Sequence, residues 1–422
     1  MRFFGLTNVP ILYTMSPTKK KIYKIEKKTR GQLAIPVILG GGINGYGLVR
    51  SFSREKIVPL VISEKKDFVY YSKHTVELVL NDEHQSYLLE VLHNIQKMLS
   101  PQKIIIIPTT DRYVEFIGDN YNVLNDLFLV PQPNWNISQT LLKKSLLYEV
   151  AERIKVKFPK TVVVHSIEEA ATIDEKLDYP ILLKPSLQAG FKNVIGWNVL
   201  IIDGKEMKER IVNQLANSDL KNNSFVFQEI IPGSPSSLYT FTSYSNRESE
   251  VLAYSVGRKI RQNPPDAGTI VSGKVDNNEE MVEMCKRMIK ETDYYGFSNI
   301  EFKKDDRDGE FKLMEINIRP GIWNYSATAS GVNLAKVMYD DLLNHKSSVV
   351  VNKKKEIVWA NFIFDFYLAV FGFKARGYKK YGMGLWKWIK SVQGKKVDAI
   401  FNINDPLAGI MYLIGLIRRN KH

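Results

Sequence analysis

The sequence predicts an α/β chain with an N-terminal doubly wound parallel sheet and a following α+β region in which antiparallel strands dominate. Three observations carry this expectation. Between Ile35 and Pro108 short apolar runs alternate with stretches of helical spacing, the rhythm of βαβ units. From Lys160 onward strand-like runs follow one another with few helices between them. The segment FSNIEFKKDDRDGEFKLMEINIRPG (297–321) alternates polar and apolar residues about an Asp308-Gly309 turn, as a hairpin does.

In order along the chain, Thr18–Arg30 is lysine-rich and weakly patterned and reads as a surface arm. Ile35–Leu39 is a strand that enters the glycine cluster GGGINGYG (40–47); Leu48–Glu55 reads as a helix and Val58–Ser63 as a second strand. Glu83–Ser100 places Leu88, Leu92, Ile95 and Leu99 on one helical face and is stopped by Pro101, and Lys103–Pro108 (KIIIIP) is a buried strand. Gln139–Ile154 reads as an amphipathic helix, and Lys160–His165 and Pro180–Pro185 as strands flanking a helix Ile167–Leu177. Gly190–Ile202, Phe225–Ile231, Leu238–Tyr244 and Val251–Val256 are expected strands, and Glu279–Thr292 and Leu334–Asn344 are helices before and after the hairpin Ser298–Arg319.

Composition narrows the function. Charged residues make up 25% and hydrophobic residues 44%, the balance of a globular chain. The lone Cys285 excludes a disulfide framework, and the six histidines are scattered without zinc spacing. No stretch reaches the ~18 uninterrupted apolar residues of a spanning helix, and the N-terminus lacks the pattern of a secretory signal, so a cytoplasmic protein is expected. Of the net charge of +14, residues 1–35 supply +7 and residues 351–422 supply +10, which leaves the middle slightly negative. The central body is therefore not a nucleic-acid surface. The basic ends are either solvated flanks or contacts to an anionic membrane, a lipid-linked substrate or an acidic polymer.

Three groups of residues carry candidate chemistry. Gly40, Gly42 and Gly45 fit G-x-G-x-x-G between a strand and a helix, where backbone amides approach a phosphate, and Glu64 ends the next strand, where a dinucleotide ribose would bind. In the hairpin, period-2 alternation puts Asn299, Glu301 and Lys303 on one face of the first strand and Glu315, Asn317 and Arg319 on one face of the second. A three-residue loop Arg307–Gly309 would set Glu301 directly across from Glu315, as magnesium bound to phosphate oxygens requires; a solvated polar face is the alternative. The DDRDG tip lacks the bidentate Glu of a calcium loop and reads as a turn. Finally, PILLKP ends in Lys184, FVFQEIIPG (225–233) ends in Pro-Gly, and GRKIRQNPPDAGT (257–269) gathers Arg258, Lys259 and Arg261 before a loop.

Taken in order, the glycine loop, LLKKSLLYEVAE (141–152), PILLKPS, QEIIPG, RKIRQNPPDAGT and IEFK…LMEINIRPG resemble the ATP-grasp superfamily over about residues 35–345, and within it the carboxylate–amine ligases that include D-aspartate ligases and polysaccharide-cluster relatives. The resemblance implies a basic arm (1–34), a pre-ATP-grasp domain (35–135), an ATP-grasp domain (136–350; small lobe about 155–230, large lobe about 231–350) and a basic, aromatic C-terminal subdomain (351–422). It implies ATP with Mg²⁺ or Mn²⁺ as cofactors and an amide formed through an acyl phosphate, in cell-wall or surface-polysaccharide biosynthesis. Lys144 and Lys184 become nucleotide-phosphate ligands, joined by Lys259; Gln228 to Ile231 becomes the adenine hinge, through the Glu229 carbonyl and the Ile231 amide. Glu301, Glu315 and Asn317 become metal ligands, Arg261 and Arg319 phosphate and acyl-phosphate clamps, and Gly41, Gly42 and Asn44 substrate contacts. SPSSL (234–238) stands where relatives often carry an acidic ribose ligand, which leaves that contact unassigned. The expected partners are a small or glycan-linked carboxylate and amine, with peripheral membrane contact through the basic ends. Two other readings stay open: a nicotinamide-dependent oxidoreductase using the glycine loop, and a non-catalytic nucleotide-binding module.

Overall fold

A computed structural model describes residues 19–80, 85–186, 190–197, 199–264, 268–345, 349–351, 357–371 and 382–419. The first sheet is parallel, with strands β1 (Ala34–Leu39), β2 (Leu60–Ser63), β3 (Val76–Val79) and β4 (Lys103–Pro108) in the order β3-β2-β1-β4. All six residues of β1 are buried, because helices cover the sheet and its apolar side chains meet no water on either face. The chain winds outward from β1 to β3 and then returns to the other side of β1 at β4. That reversal opens a crevice at the carboxyl ends of β1 and β4, where the glycine loop and Thr109–Asp111 lie.

The lysine-rich segment, expected as a surface arm, is a helix over its described residues, Lys19–Thr29. Ile25 is buried, and the Lys28 ammonium donates to the Lys73 and Thr75 carbonyls, so one apolar contact and one charged clip fasten it to the sheet edge. The helix after β1 begins inside the glycine cluster, at Gly42, and runs to Ser53.

The second sheet is antiparallel, β5 (Thr161–Val164), β6 (Ile181–Pro185), β7 (Leu200–Ile202) and β8 (Phe225–Glu229), in the order β5-β8-β6-β7. Two expectations change here. Gln139–Ile154 is not one helix but two, Trp135–Leu142 and Lys144–Arg153, separated at the extended Lys143. Gly190–Ile202 is a strand only at its end: Gly190 and Gly196 take left-handed φ of 79° and 86° and enclose one helical turn, Phe191–Ile195.

The third sheet holds β9 (Leu238–Ser245), β10 (Val251–Asn263), β11 (Thr269–Asp276), β12 (Gly296–Lys304), β13 (Phe311–Asn317), β15 (Ile357–Ala360) and β16 (Lys395–Asp398) in the order β13-β12-β9-β10-β11-β15-β16, with β14 (Val350–Val351) against β10. The strand read as Val251–Val256 thus continues through the basic run to Asn263. The C-terminal segment, expected as a basic, aromatic subdomain, contributes two strands to the edge of this sheet.

Arg261 fastens that segment. Its Nε and Nη2 donate to the two Asp365 carboxylate oxygens at 2.7 and 2.6 Å, and Nη1 donates to Ser391 Oγ at 2.7 Å. Ser272 Oγ and Trp388 Nε1 also donate to Asp365, so both charges are buried with their hydrogen-bonding capacity largely used. Replacing Asp365 by alanine would strand a guanidinium inside the protein. We expect a loss of roughly 3–5 kcal/mol, read as a shifted urea midpoint; an unchanged midpoint would show that the pair is not a fastening.

Candidate active site

The hairpin β12–β13 sets Glu301 directly opposite Glu315, with Asn299 opposite Asn317. The register arises differently from the expected three-residue loop. Lys304 pairs with Phe311, Phe302 with Leu313, and Met314 is an extra residue on β13, a β-bulge. The bulge explains how Phe311, Leu313, Ile316 and Ile318 all reach one core although their spacing breaks strict alternation. It also turns Glu315 and Asn317 onto the face that carries Glu301. At the tip, Gly309 N–H donates to the Asp305 carbonyl, the turn read from DDRDG.

Glu301 is mostly shielded from solvent, and the buried Lys259 ammonium on β10 reaches across β9 to its carboxylate at 2.8 Å. Between them on β9, Thr240 lies opposite Glu301, and its buried hydroxyl has no hydrogen-bond partner among the described residues. Asn317 Nδ2 donates to Glu315 Oε1 at 3.0 Å, and Arg319 Nη2 donates to Asn317 Oδ1 at 3.1 Å. The face therefore presents, in a row, a cation, an orphan hydroxyl, two facing carboxylates, an amide and a guanidinium. Among the described residues no group of three His, Cys, Asp or Glu forms a self-sufficient metal site. Two carboxylates and an amide oxygen instead suit a hard divalent cation that completes its shell with phosphate and water oxygens.

Arg319 is oriented from the parallel-sheet domain, where Asp111 Oδ1, at the start of the helix following β4, accepts from its Nε at 2.7 Å. Asn44 joins the same two domains. Its amide nitrogen donates to the Thr109 and Pro320 carbonyls at 2.8 Å each, and its Oδ1 accepts from Asn324. This side chain, expected to touch substrate, is used up in holding the glycine loop against Arg319-Pro320-Gly321. Beyond it the Trp323 ring packs against Gly257 of β10 and Gly273 of β11, and a Cβ on Gly257 would stand 2.0 Å from it.

Three N–H groups of the glycine loop are already engaged: Gly40 donates to the Ile62 carbonyl, Gly45 to the Gly41 carbonyl and Gly42 to Asp67. Asp67 Oδ2 accepts from the Gly42 N–H at 2.5 Å, and a Cβ on Gly41 would strike that carboxylate at 2.4 Å. Glu64, the residue suited to a dinucleotide ribose, is paired with Arg112 and accepts from the Tyr113 hydroxyl. A dinucleotide pyrophosphate would have to displace a carboxylate, so the geometry opposes the oxidoreductase reading.

In the second sheet Lys184 is the penultimate residue of β6, and its Nζ donates to Gln228 Oε1 at 3.1 Å. Gln228 is buried and donates in turn to Tyr148 OH and Thr161 Oγ1, both at 2.7 Å, which ties the helix Lys144–Arg153 to β5 and β8. Lys144 is the first residue of that helix, and its side chain lies outside the described residues. Glu229 ends β8; its carboxylate accepts from the Lys160 N–H and from Arg307 Nη2, while Ile231 is buried. Arg307 also binds Asp305, so the hairpin tip is clasped to the end of β8. Arg261, expected to clamp phosphate, lies within the Asp365 network instead.

Residues 246–362, which contain this hairpin and β10, match the family described as ATP-grasp in the biosynthetic pathway with Ter operon. The chain is 28% identical over 331 residues to D-aspartate ligase of Enterococcus faecium (strain Aus0004), covering 75% of this chain and 78% of that one. Its fold aligns with N5-carboxyaminoimidazole synthetase from Staphylococcus aureus complexed with ADP at a TM-score of 0.58 and 14% identity, over 75% and 79% of the two chains. In sequence over residues 246–362 and in fold, the chain is similar to ATP-grasp proteins. The L-amino acid ligase from Bacillus licheniformis shares the fold at a TM-score of 0.56 and 16% identity, over 75% and 76%. Lys184 and Gln228 lie on the four-stranded antiparallel sheet, and the carboxylate pair lies on the larger one.

Sequence reasoning missed Asp67, Asp111, Thr240 and Arg307. Asp111 had a signal, as an acid opening a helix at the end of a buried strand beside the chain reversal. The others depend on register and loop geometry.

Arg307 holds the Asp305 carboxyl below the ordinary range. A depressed folded pKa stabilises above the unfolded value of ~3.9 and is lost as pH falls through that region. Asp305→Asn should therefore lower stability at pH 7, with the deficit shrinking below about pH 4; urea titrations at both values test this, and a pH-independent deficit would refute it.

Proposed function

We propose that this protein is an ATP- and Mg²⁺-dependent carboxylate–amine ligase of ATP-grasp type that forms an amide through an acyl phosphate. The observation that supports this best is the facing Glu301–Glu315 pair, with Lys259 and the unpartnered Thr240 hydroxyl beside it. Two carboxylates held opposite each other repel unless cations lie beside them, and one divalent cation can serve both at once.

Glu301, Glu315 and Asn317 would hold Mg²⁺, or Mn²⁺, which supplies charge neutralisation on the phosphate oxygens. Lys144 and Lys184 bind the nucleotide phosphates. The adenine edge meets the Glu229 carbonyl and Ile231 amide at the end of β8, whose position Gln228 fixes. Lys259 offers a second cation next to Glu301. A substrate carboxylate oxygen attacks the γ-phosphorus and ADP leaves. The amine nitrogen then bonds to the acyl carbon as the carbon–oxygen bond to phosphate breaks, and the amine loses a proton. Arg319, aimed by Asp111, faces the charge on the phosphoryl group in both steps, so the protein's work is positioning and electrostatics.

Gly41 and Gly42 border the crevice, but with Asp67 and Asn44 engaged as described they shape the substrate site rather than bind an anion through amides. The relation to D-aspartate ligase favours an amino acid as one substrate, with the other a small or glycan-linked acid or amine of cell-wall or surface-polysaccharide synthesis.

An ADP-release screen with Mg²⁺ over amino acids and sugar acids should find a pair that stimulates turnover. Glu315→Ala should lower that rate ~10²–10³-fold, the scale for one charge-stabilising group. A variant that releases ADP at the wild-type rate would refute the metal assignment.

A further inference from the structure

The C-terminal helix Pro406–Arg419 has two apolar faces, and among the described residues only one is covered. Its inner face packs on the parallel-sheet domain: Ala408 is buried, the Tyr412 ring meets Phe68 edge-on at 5.3 Å, and Tyr412 OH accepts from Asn361 Nδ2 at 2.7 Å. Its outer face carries Leu407, Ile410, Ile414 and Ile417, at helical spacing along one stripe. Leu407, Ile410 and Ile417 are 49%, 50% and 59% exposed, and Ile403 just before the helix is 94% exposed. The inner contacts fix this stripe as a rigid outward surface.

The charge of the segment that holds the helix has predominantly one sign. Residues 351–422 carry 14 Lys/Arg and 4 Asp/Glu. Of the described acids there, Asp365 and Asp405 are buried, and Asp398 accepts from the Phe362, Ile400 and Phe401 amides. Lys387, Lys390, Lys395, Lys396 and Arg418 remain exposed, and in the short helix Leu385–Ser391 of the same segment Trp386 is 77% exposed. Acids are turned inward while cations and large apolar side chains face outward. A protein partner would need an unusually acidic and apolar surface, whereas an anionic bilayer offers both features at once. At 14 residues the helix is too short to cross a bilayer, and no helix among the described residues is long and apolar enough to do so.

We propose that the outer stripe of the helix Pro406–Arg419 docks on the surface of an anionic lipid bilayer. The helix lies in the headgroup plane with Ile403, Leu407, Ile410 and Ile417 inserted, while the cations hold the anionic leaflet. This stands independently of the ligase reading.

The test is co-sedimentation of the full chain with vesicles of phosphatidylcholine and phosphatidylglycerol in equal parts, and with phosphatidylcholine alone, at low and high salt. Binding is expected to the mixed vesicles at low salt, to fall with salt, and to be weak on neutral vesicles. Ile410→Asp and Ile417→Asp, at exposed positions, should each lower the partition coefficient about tenfold or more while leaving the melting midpoint and ADP release on soluble substrates unchanged. Three results would each overturn the proposal: wild-type protein staying in the supernatant at low salt, Ile410→Asp binding as tightly as wild type, or a lipid-free dimer that Ile410→Asp converts to monomer.

Discussion

The candidate site is built on two like charges held opposite each other. Glu301 and Glu315 are neighbours across β12 and β13, and nothing in an apolar core favours that arrangement. The bulge at Met314 makes it possible, because it lets one strand keep its core side chains inward while turning Glu315 and Asn317 toward Glu301. Lys259 offsets part of the repulsion from across β9.

Other parts of the chain can be understood as supports for that face. Asp111 and Asn44 join the parallel-sheet domain to the residues just after β13, so the crevice at the ends of β1 and β4 opens beside Arg319. Arg307 clasps the hairpin tip to Glu229, which sets the small sheet against the large one. Arg261 sits one alternation beyond Lys259 on β10 but serves stability rather than charge transfer, since Asp365 occupies both arms of its fork. Neighbouring cations on one strand thus have opposite fates, decided by what packs over them.

The sequence revealed the parallel sheet, the hairpin and the facing carboxylates because each has a periodicity or turn signature. KIIIIP is a strand with the expected limits. The register of Glu301 and Glu315 was legible, but the bulge was not: it follows from Leu313 and Ile316 both needing the core, which alternation alone does not display. The glycine loop misled in a different way. Its pattern fits a phosphate cradle, yet Asp67, 25 residues away, fills it. Likewise the burial of Arg261 depends on Asp365, more than a hundred residues later, a pairing that no local pattern announces. Long-range polar partners are where residue-by-residue reading stops.

The central claim is that the two hairpin carboxylates act through a divalent cation on a bound triphosphate. Calorimetric titration of ATP with and without Mg²⁺, for the wild type and for a Glu301→Gln/Glu315→Gln variant, tests it most directly. The account predicts that the metal strengthens ATP binding in the wild type by about tenfold or more, and has little effect in the variant. A variant in which magnesium still strengthens binding as it does in the wild type would contradict it.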